Sequence, residues 1–296
     1  MKNPRWEWYV VCGVCCVFLF LTGCSGGGGG GSPSPSPSPS PTPTTTPTLP
    51  VHNINQDKYY ATIQAAIDEA QDGDKIVVSP GTYLEHLNFE GKNIVVRSEN
   101  PNNPSIVAAT IIDGGGTGTV VTFLNGETQD ATLEGFTIQN GRGTARLVML
   151  PYFGGGIYIE NASPTITRNV IRDNHVTSAG GGIYIGGIAS PKIVDNTIEE
   201  NTANLSGGGV AVVDTASPII EGNTFRNNQA GDTGGGLFVG NAASVKSASG
   251  TPWGKSLCPP DGTQAGSSWI YHDNTFSGNT HESGQDSEGC HVYMVI

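Results

Sequence analysis

Positive charge is scarce in this chain. Lysine and arginine number 14 against 26 aspartates and glutamates, giving a net charge of −12 over 296 residues. A chain of that balance repels phosphate backbones and anionic headgroups, which argues against nucleic acid and acidic lipid surfaces as partners. Helical periodicity is nearly missing as well, with one amphipathic stretch in the whole sequence. The apolar run near the start, Val10–Leu21, is too short to cross a bilayer. Cysteine is concentrated at one end: of six, Cys12, Cys15, Cys16 and Cys24 fall in the first 24 residues, leaving Cys258 and Cys290. The six histidines, His52, His86, His175, His272, His281 and His291, share no metal-like spacing.

Glycine is abundant, and its placement is regular. GGGIYIENASPTITRNVIRDN opens at Gly154, GGGIYIGGIASPKIVDNTIEEN at Gly180 and GGGVAVVDTASPIIEGNTFRNN at Gly207. A fourth copy opens as GGGLFVG at Gly234 and resumes, after an insertion, at His272 as HDNTFSGN. The starts lie 26, 27 and 27 residues apart. Units this short cannot each bury a core, so they must stack on one another. Within a copy the apolar residues alternate or run briefly, as in Ile157, Ile159, Ile166 and Ile171, and Gly and Asn break the runs at fixed offsets. Each copy therefore reads as short strands joined by turns. Stacking sets like residues about 4.8 Å apart on parallel strands. The predicted class is all-β: a right-handed parallel β-helix, or solenoid, with a short N-terminal capping helix.

Asparagine strengthens the reading. Asn169, Asn196, Asn223 and Asn274 share one register, and Asn174, Asn201, Asn228 and Asn279 share another, five residues later. Stacked amides can hydrogen-bond along the axis, and Asn tolerates the left-handed backbone that a sharp turn needs. These residues are read as structural, and none is taken as catalytic.

On these residues the chain resembles the right-handed β-helix (pectin-lyase-like) superfamily. The pairing of Gly235-Gly236-Leu237 with Phe225-Arg226-Asn227-Asn228 is similar to chlamydial polymorphic outer-membrane protein repeats. The resemblance runs from about Thr62 to the C terminus. It implies a fold more than an activity, because the superfamily includes lyases, hydrolases, adhesins and inert scaffolds.

The start of the chain reads as an address and a tether. Residues 1–23 form a signal segment, with Lys2 and Arg5 ahead of the apolar core. Leu21-Thr22-Gly23-Cys24 resembles a bacterial lipobox, which implies lipidation of Cys24 and cleavage before it. The Ser25 that follows resembles the outer-membrane choice of Gram-negative lipoproteins. The membrane is thus an expected partner through a lipid anchor, and the expected location is the cell envelope or cell surface. Losing Lys2, Arg5 and Glu7 leaves 12 positive and 25 negative residues, a mature net charge of −13. Residues 24–50 form a linker, flexible at Gly26–Gly31 and extended through the Ser-Pro and Thr-Pro alternation, which reaches on the order of 60 Å. Residues 51–296 form the β-helix domain.

Thr62–Ala70 is the one amphipathic helix, with Ile63, Ala66, Ile67 and Ala70 on one face and Thr62 as cap. It is expected to close the open end of the solenoid. Ile76–Val78 begins the first rung, and residues 142–152 should bulge as a loop. At the far end, an insertion at about 247–267 reads as an ordered loop. Pairing of Cys258 with Cys290 is favoured in an exported protein and would contribute about 3–4 kcal/mol.

Chemistry is expected on the outer faces. Tyr158, Tyr184, Ala211 and Phe238, with Tyr293 as a fifth member, should stack as an outward column, a flat surface suited to sugar rings. Arg172, Glu199 and Arg226 should form a solvated ladder of alternating sign. Among the cations near the bulge, Arg142, Arg146, Arg168 and Lys192, the last two are assigned with Tyr158, Tyr184 and Phe238 as the candidate glycan contacts. The Asn-Thr-Asp, paired-Asp and Gly-His-Gly elements expected of a β-helix galacturonase are missing, and Asp-Asn-Thr at Asp195 and Asp273 belongs to the turn repeat. Asp113-Gly114-Gly115-Gly116 reads as a turn and at most a weak Ca²⁺ ligand. No catalytic residue, metal site or cofactor is assigned. The leading expectation is a non-catalytic surface lipoprotein that contacts polysaccharide or cell-surface protein. The alternative is a tethered lyase or hydrolase of uronic-acid glycans, with Ca²⁺ as a cofactor if a lyase.

Overall fold

Each repeat folds into one turn of a coil. The computed structural model describes residues 49–145, 152–240, 243–246, 249, 269–271, 273–281 and 292–294. One complete turn runs through Ile183–Gly186, Lys192–Val194, Thr197–Glu199 and Thr202–Ala203, and the next begins at Val210. Every strand of this turn pairs in parallel with its counterpart one repeat away. Three long sheets and one short sheet result. The first holds Lys192–Val194, the second Thr197–Glu199, the third Ile183–Gly186 and the fourth Thr202–Ala203.

Alternation decides which side chains enter the coil. In the first sheet Ile76, Val96, Leu133, Ile166, Ile193 and Ile220 lie one above another, all fully buried. Each contributes about 1.5–3 kcal/mol of burial. In the second sheet Phe225 and Phe276 stack at 4.5 Å with their rings 4° from parallel.

The two Asn registers form buried ladders at the corners that precede and follow the second sheet. Nδ2 of Asn169 donates to Oδ1 of Asn196, Asn196 to Asn223 and Asn223 to Asn274, at 3.0–3.2 Å. The second ladder repeats this through Asn174, Asn201, Asn228 and Asn279 at 2.9–3.0 Å. The remaining amide proton of each donor goes to a main-chain carbonyl of an earlier turn, such as Ile166 O for Asn196 and Ile171 O for Asn201. The tolerance of Asn for a left-handed backbone is not what places it here. The left-handed backbone belongs to the residue before each ladder Asn: Arg168, Asp195, Gly222 and Asp273 in one column, and Asp173, Glu200, Asn227 and Gly278 in the other. The Asn itself is chosen for its two-sided amide.

Helix α1, Ile63–Glu69, caps the N-terminal end as expected, with Thr62 Oγ1 accepting from Ala65 N–H at 3.3 Å. Ile63, Ala66 and Ile67 are buried. Glu85 also accepts the Ile63 and Gln64 N–H groups, at 3.0 and 2.9 Å. The cap holds more than the helix: Val51–Asn53 pairs antiparallel with both Lys58–Tyr60 and Lys75–Val78. A second helix, α2 (Pro104–Ala109), was not legible as one. Asn103 caps it and Pro104 opens it.

The expected bulge after Arg142 begins and ends as a hairpin, with Thr144–Ala145 antiparallel to Tyr152–Phe153, while 146–151 lie outside the described residues. Cys24, Cys258, Cys290, Arg146, Trp253 and the insertion, apart from Ser249, also lie outside them. Trp269–Tyr271 pairs antiparallel with Asn274–Ser277, and the final strand Val292–Met294 pairs with Leu237–Val239.

Candidate functional site

The aromatic column is in register but not in the open. Tyr158 pairs with Tyr184, Tyr184 with Ala211, Ala211 with Phe238 and Phe238 with Tyr293. Tyr158 and Tyr184 stack at 5.0 Å and 10°. Yet they are only 3% and 1% exposed, and Phe238 is half-buried. The glycine triplets explain the cover. Gly154, Gly180, Gly207 and Gly234 take positive φ, at +59°, +73°, +66° and +66°. A Cβ on Gly180 would sit 2.5 Å from Ile183 O and 2.9 Å from Tyr184 Cα, and one on Gly154 would sit 2.9 Å from Tyr158 Cβ. Only a bare backbone passes so close, and Ala179, just ahead of Gly180, packs against the two rings. Phe153, from the hairpin, leans on Tyr184 at 5.0 Å. The column is thus a second small core, and the reading of Tyr158 and Tyr184 as an open sugar platform is corrected by their burial. Tyr158 Oη donates to Glu160 Oε2 at 2.6 Å, which satisfies its polar end.

The outer column of the second sheet runs Asp113, Gln139, Arg172, Glu199, Arg226. Each of its charged groups has a partner close by. Arg226 Nε donates to Glu199, and that bond holds the guanidinium pKa above its ordinary value. Arg172 donates to Gln139 Oε1 at 2.9 Å and lies 3.6 Å from Asp173. The Glu199 side chain is only 10% exposed, so this is a partly covered pair rather than the solvated ladder expected. Burial works against ionisation of Asp113, but hydrogen bonds from Gln139, Gly115 N–H and Asn140 outweigh it and hold its pKa below the ordinary value. Those donors occupy the carboxylate that was the weak Ca²⁺ candidate of the Gly-rich turn.

A groove of about 310 Å³ opens where α2 overhangs the first Asn corner. Pro101 and Pro104 form one wall, and Arg168, Val170, Asp195 and Thr197 form the other. Thr137 Oγ1 donates to Val107 O at 3.0 Å and pins α2 to the second sheet. Arg168 and Asp195 are successive members of the left-handed column, so their side chains rise from adjacent turns. Arg168 donates to Glu134 Oε1 at 2.8 Å and remains 42% exposed. Lys192 sits apart, in an outer column of the first sheet between Thr165 and Ile219. Arg142 is exposed beside His175, whose pKa is lowered first by burial and then by that positive charge. Arg142, Arg168 and Lys192 thus sit at different elements, and Arg146 lies outside the described residues. A second, polar cavity of about 390 Å³ lies along the fourth sheet, bordered by Thr202, Asn204, Gln229 and Gly231.

The family described as a right-handed β-helix region matches residues 94–251, more than half of the 296-residue chain. The chain belongs to the right-handed β-helix family. No curated protein and no solved structure matches it. Within this β-helix the matched span contains both Asn corners up to Asn228, the buried tyrosines and the groove. Membership fixes the architecture, and activity must be argued from the site. Among the described residues no group of three or more His, Cys, Asp or Glu is placed to hold a metal ion, and no helix is long and apolar enough to cross a membrane. The groove offers one guanidinium already paired with a carboxylate, a second carboxylate, a threonine hydroxyl and proline faces. That set can hydrogen-bond a polar chain and pack against its apolar edges.

Proposed function

We propose that this β-helix is a non-catalytic binding module carried on the cell surface by a lipid on Cys24. The proline-rich stalk lifts it clear of the membrane, and the groove beside α2 contacts polysaccharide or a cell-surface protein. The observation that carries this reading is the groove itself, whose arginine is shared with Glu134. A lyase acting on uronic acids needs an unspent cation to neutralise the substrate carboxylate and a base beside it. Arg168 and Asp195 share the groove, which keeps the lyase as the second reading, but the Glu134 pair ranks it below binding.

The test joins anchoring to binding. Cys24→Ser should move the protein from the membrane fraction to the soluble fraction. The mature domain should be retained by members of a polysaccharide and surface-protein panel, and Arg168→Gly should lose that retention. Glycine suits the left-handed backbone at 168, and the exposed pair with Glu134 is worth only about 0–1 kcal/mol, so the variant should melt normally. Unsaturated products from uronic-acid polysaccharides would overturn the non-catalytic reading in favour of the lyase.

A further inference from the structure

The chain contains two Asn-Gly steps, Asn125-Gly126 and Asn140-Gly141, and the fold treats them oppositely. We propose that Asn125 is a site of spontaneous deamidation, which places a new carboxylate on the turn between the third and first sheets. Deamidation begins when the Gly126 nitrogen gives its proton to solvent and bonds to Cγ of Asn125. The Cγ–Nδ2 bond breaks, and ammonia leaves with a proton. Water then opens the cyclic imide at either carbonyl, giving aspartate or isoaspartate. The step needs a free main-chain nitrogen, a free side-chain amide and a backbone able to rotate.

Asn140 has none of these. Its Nδ2 donates to Asp113 Oδ2 at 2.7 Å, and the buried Gly141 N–H donates to Asn174 Oδ1 at 2.8 Å. Asn125 and Gly126 are both exposed. Gly126 has φ +80°, and nothing lies within 4 Å of where its Cβ would stand. Among the described residues no hydrogen bond takes up the Gly126 N–H or the Asn125 side chain.

The position matters because of Glu127, which is 1% exposed. Its carboxylate accepts from Gly91 N–H at 2.9 Å and from Asn125 N–H at 3.0 Å, and its carbonyl accepts from Ser163 N–H at 2.6 Å. One buried residue thus clamps three successive turns of the coil. Isoaspartate would lengthen the main chain beside that clamp, and either product would set a second negative charge near it. Exchange of the Gly91 and Asn125 amides should quicken as the modification accumulates.

The full mature protein would be incubated at mildly alkaline pH, then mapped by peptide mass and isoaspartate-specific methylation, with a denatured sample alongside. Asn125 should convert at least about tenfold faster than Asn140 in the folded protein, because local opening must precede reaction at Asn140. Both should convert at similar rates when unfolded, and Asn125→Gln should remove the fast product. Equal rates in the folded protein, or an Asn125 that stays an amide, would overturn the proposal.

Discussion

Replacing Asn201 by alanine should cost this protein a large part of its local stability. Asn201 is fully buried at the middle of the second ladder. Its Nδ2 donates to Asn228 Oδ1 at 3.0 Å and to Ile171 O at 2.8 Å. Its Oδ1 accepts from Asn174 Nδ2 at 3.0 Å and from Asn174 N–H at 3.2 Å. Alanine breaks all four bonds and strands two buried donors on Asn174. At about 1–3 kcal/mol for each unsatisfied group, the loss comes to about 2–6 kcal/mol. Asn204→Ala is the control, because that side chain is exposed and such changes stay within about 0.5 kcal/mol. Urea unfolding of the mature domain should show a lowered midpoint for Asn201→Ala and none for Asn204→Ala. Each turn touches only its neighbours, so the Asn174 amide should also lose more exchange protection than amides several turns away. A loss below about 1 kcal/mol, with Asn174 still protected, would refute the idea that the ladder is a stabilising network.

Two further outcomes follow from burial and charge. Tyr184→Ala should lower the melting temperature sharply, by about 3–5 kcal/mol of stability, because the ring lies inside the second core; an unchanged melt would contradict that burial. Asp113→Asn should flatten part of the acid limb of the stability profile. The Asp113 pKa is depressed in the folded state, so its stabilisation is full above the unfolded value and fades as pH falls through the folded one. Asp74 and Glu69 are also held low and keep their own shares of that limb. Urea midpoints measured from neutral to strongly acidic pH would check this, and an identical slope in the variant would count against it.

Register was legible because a solenoid writes it into spacing. Ile166, Ile193 and Ile220 announce their stack by recurring at one offset, and so do the ladder asparagines. What lies above an outward residue is not written in the same way. Tyr158 and Tyr184 alternate outward as expected, and a separate segment then covers them. The covering had a signal in the first glycine of each triplet, where only a bare Cα can lie against the strand that follows. The left-handed column escaped because its members are chemically unlike: Arg168, Asp195, Gly222 and Asp273 share a conformation but no side-chain type. Helix α2 escaped because it is 6 residues long and buries only Val107, too little to show a period. The groove that α2 walls off was therefore invisible too, although Arg168 itself was among the expected contacts.

In a repeat protein the positions that recur are those the coil requires, and freedom lies where the repeat varies. The ladder asparagines, the glycine triplets and the inward Ile and Val columns recur because each turn is built from them. The left-handed position before the first ladder does not recur in type. Glycine serves at 222, so the backbone alone is content with no side chain there. A non-glycine residue in that conformation costs roughly 1–2 kcal/mol. Arg168 and Asp195 carry that cost on adjacent turns, and these are the turns that α2 overhangs. Asp273, one turn beyond Gly222, is left-handed as well, so the conformation belongs to the corner itself, and what varies along the column is the side chain it presents. The same contrast separates Lys192, on an outer column away from the groove, from Arg168, and makes Arg168 the residue on which the binding reading depends.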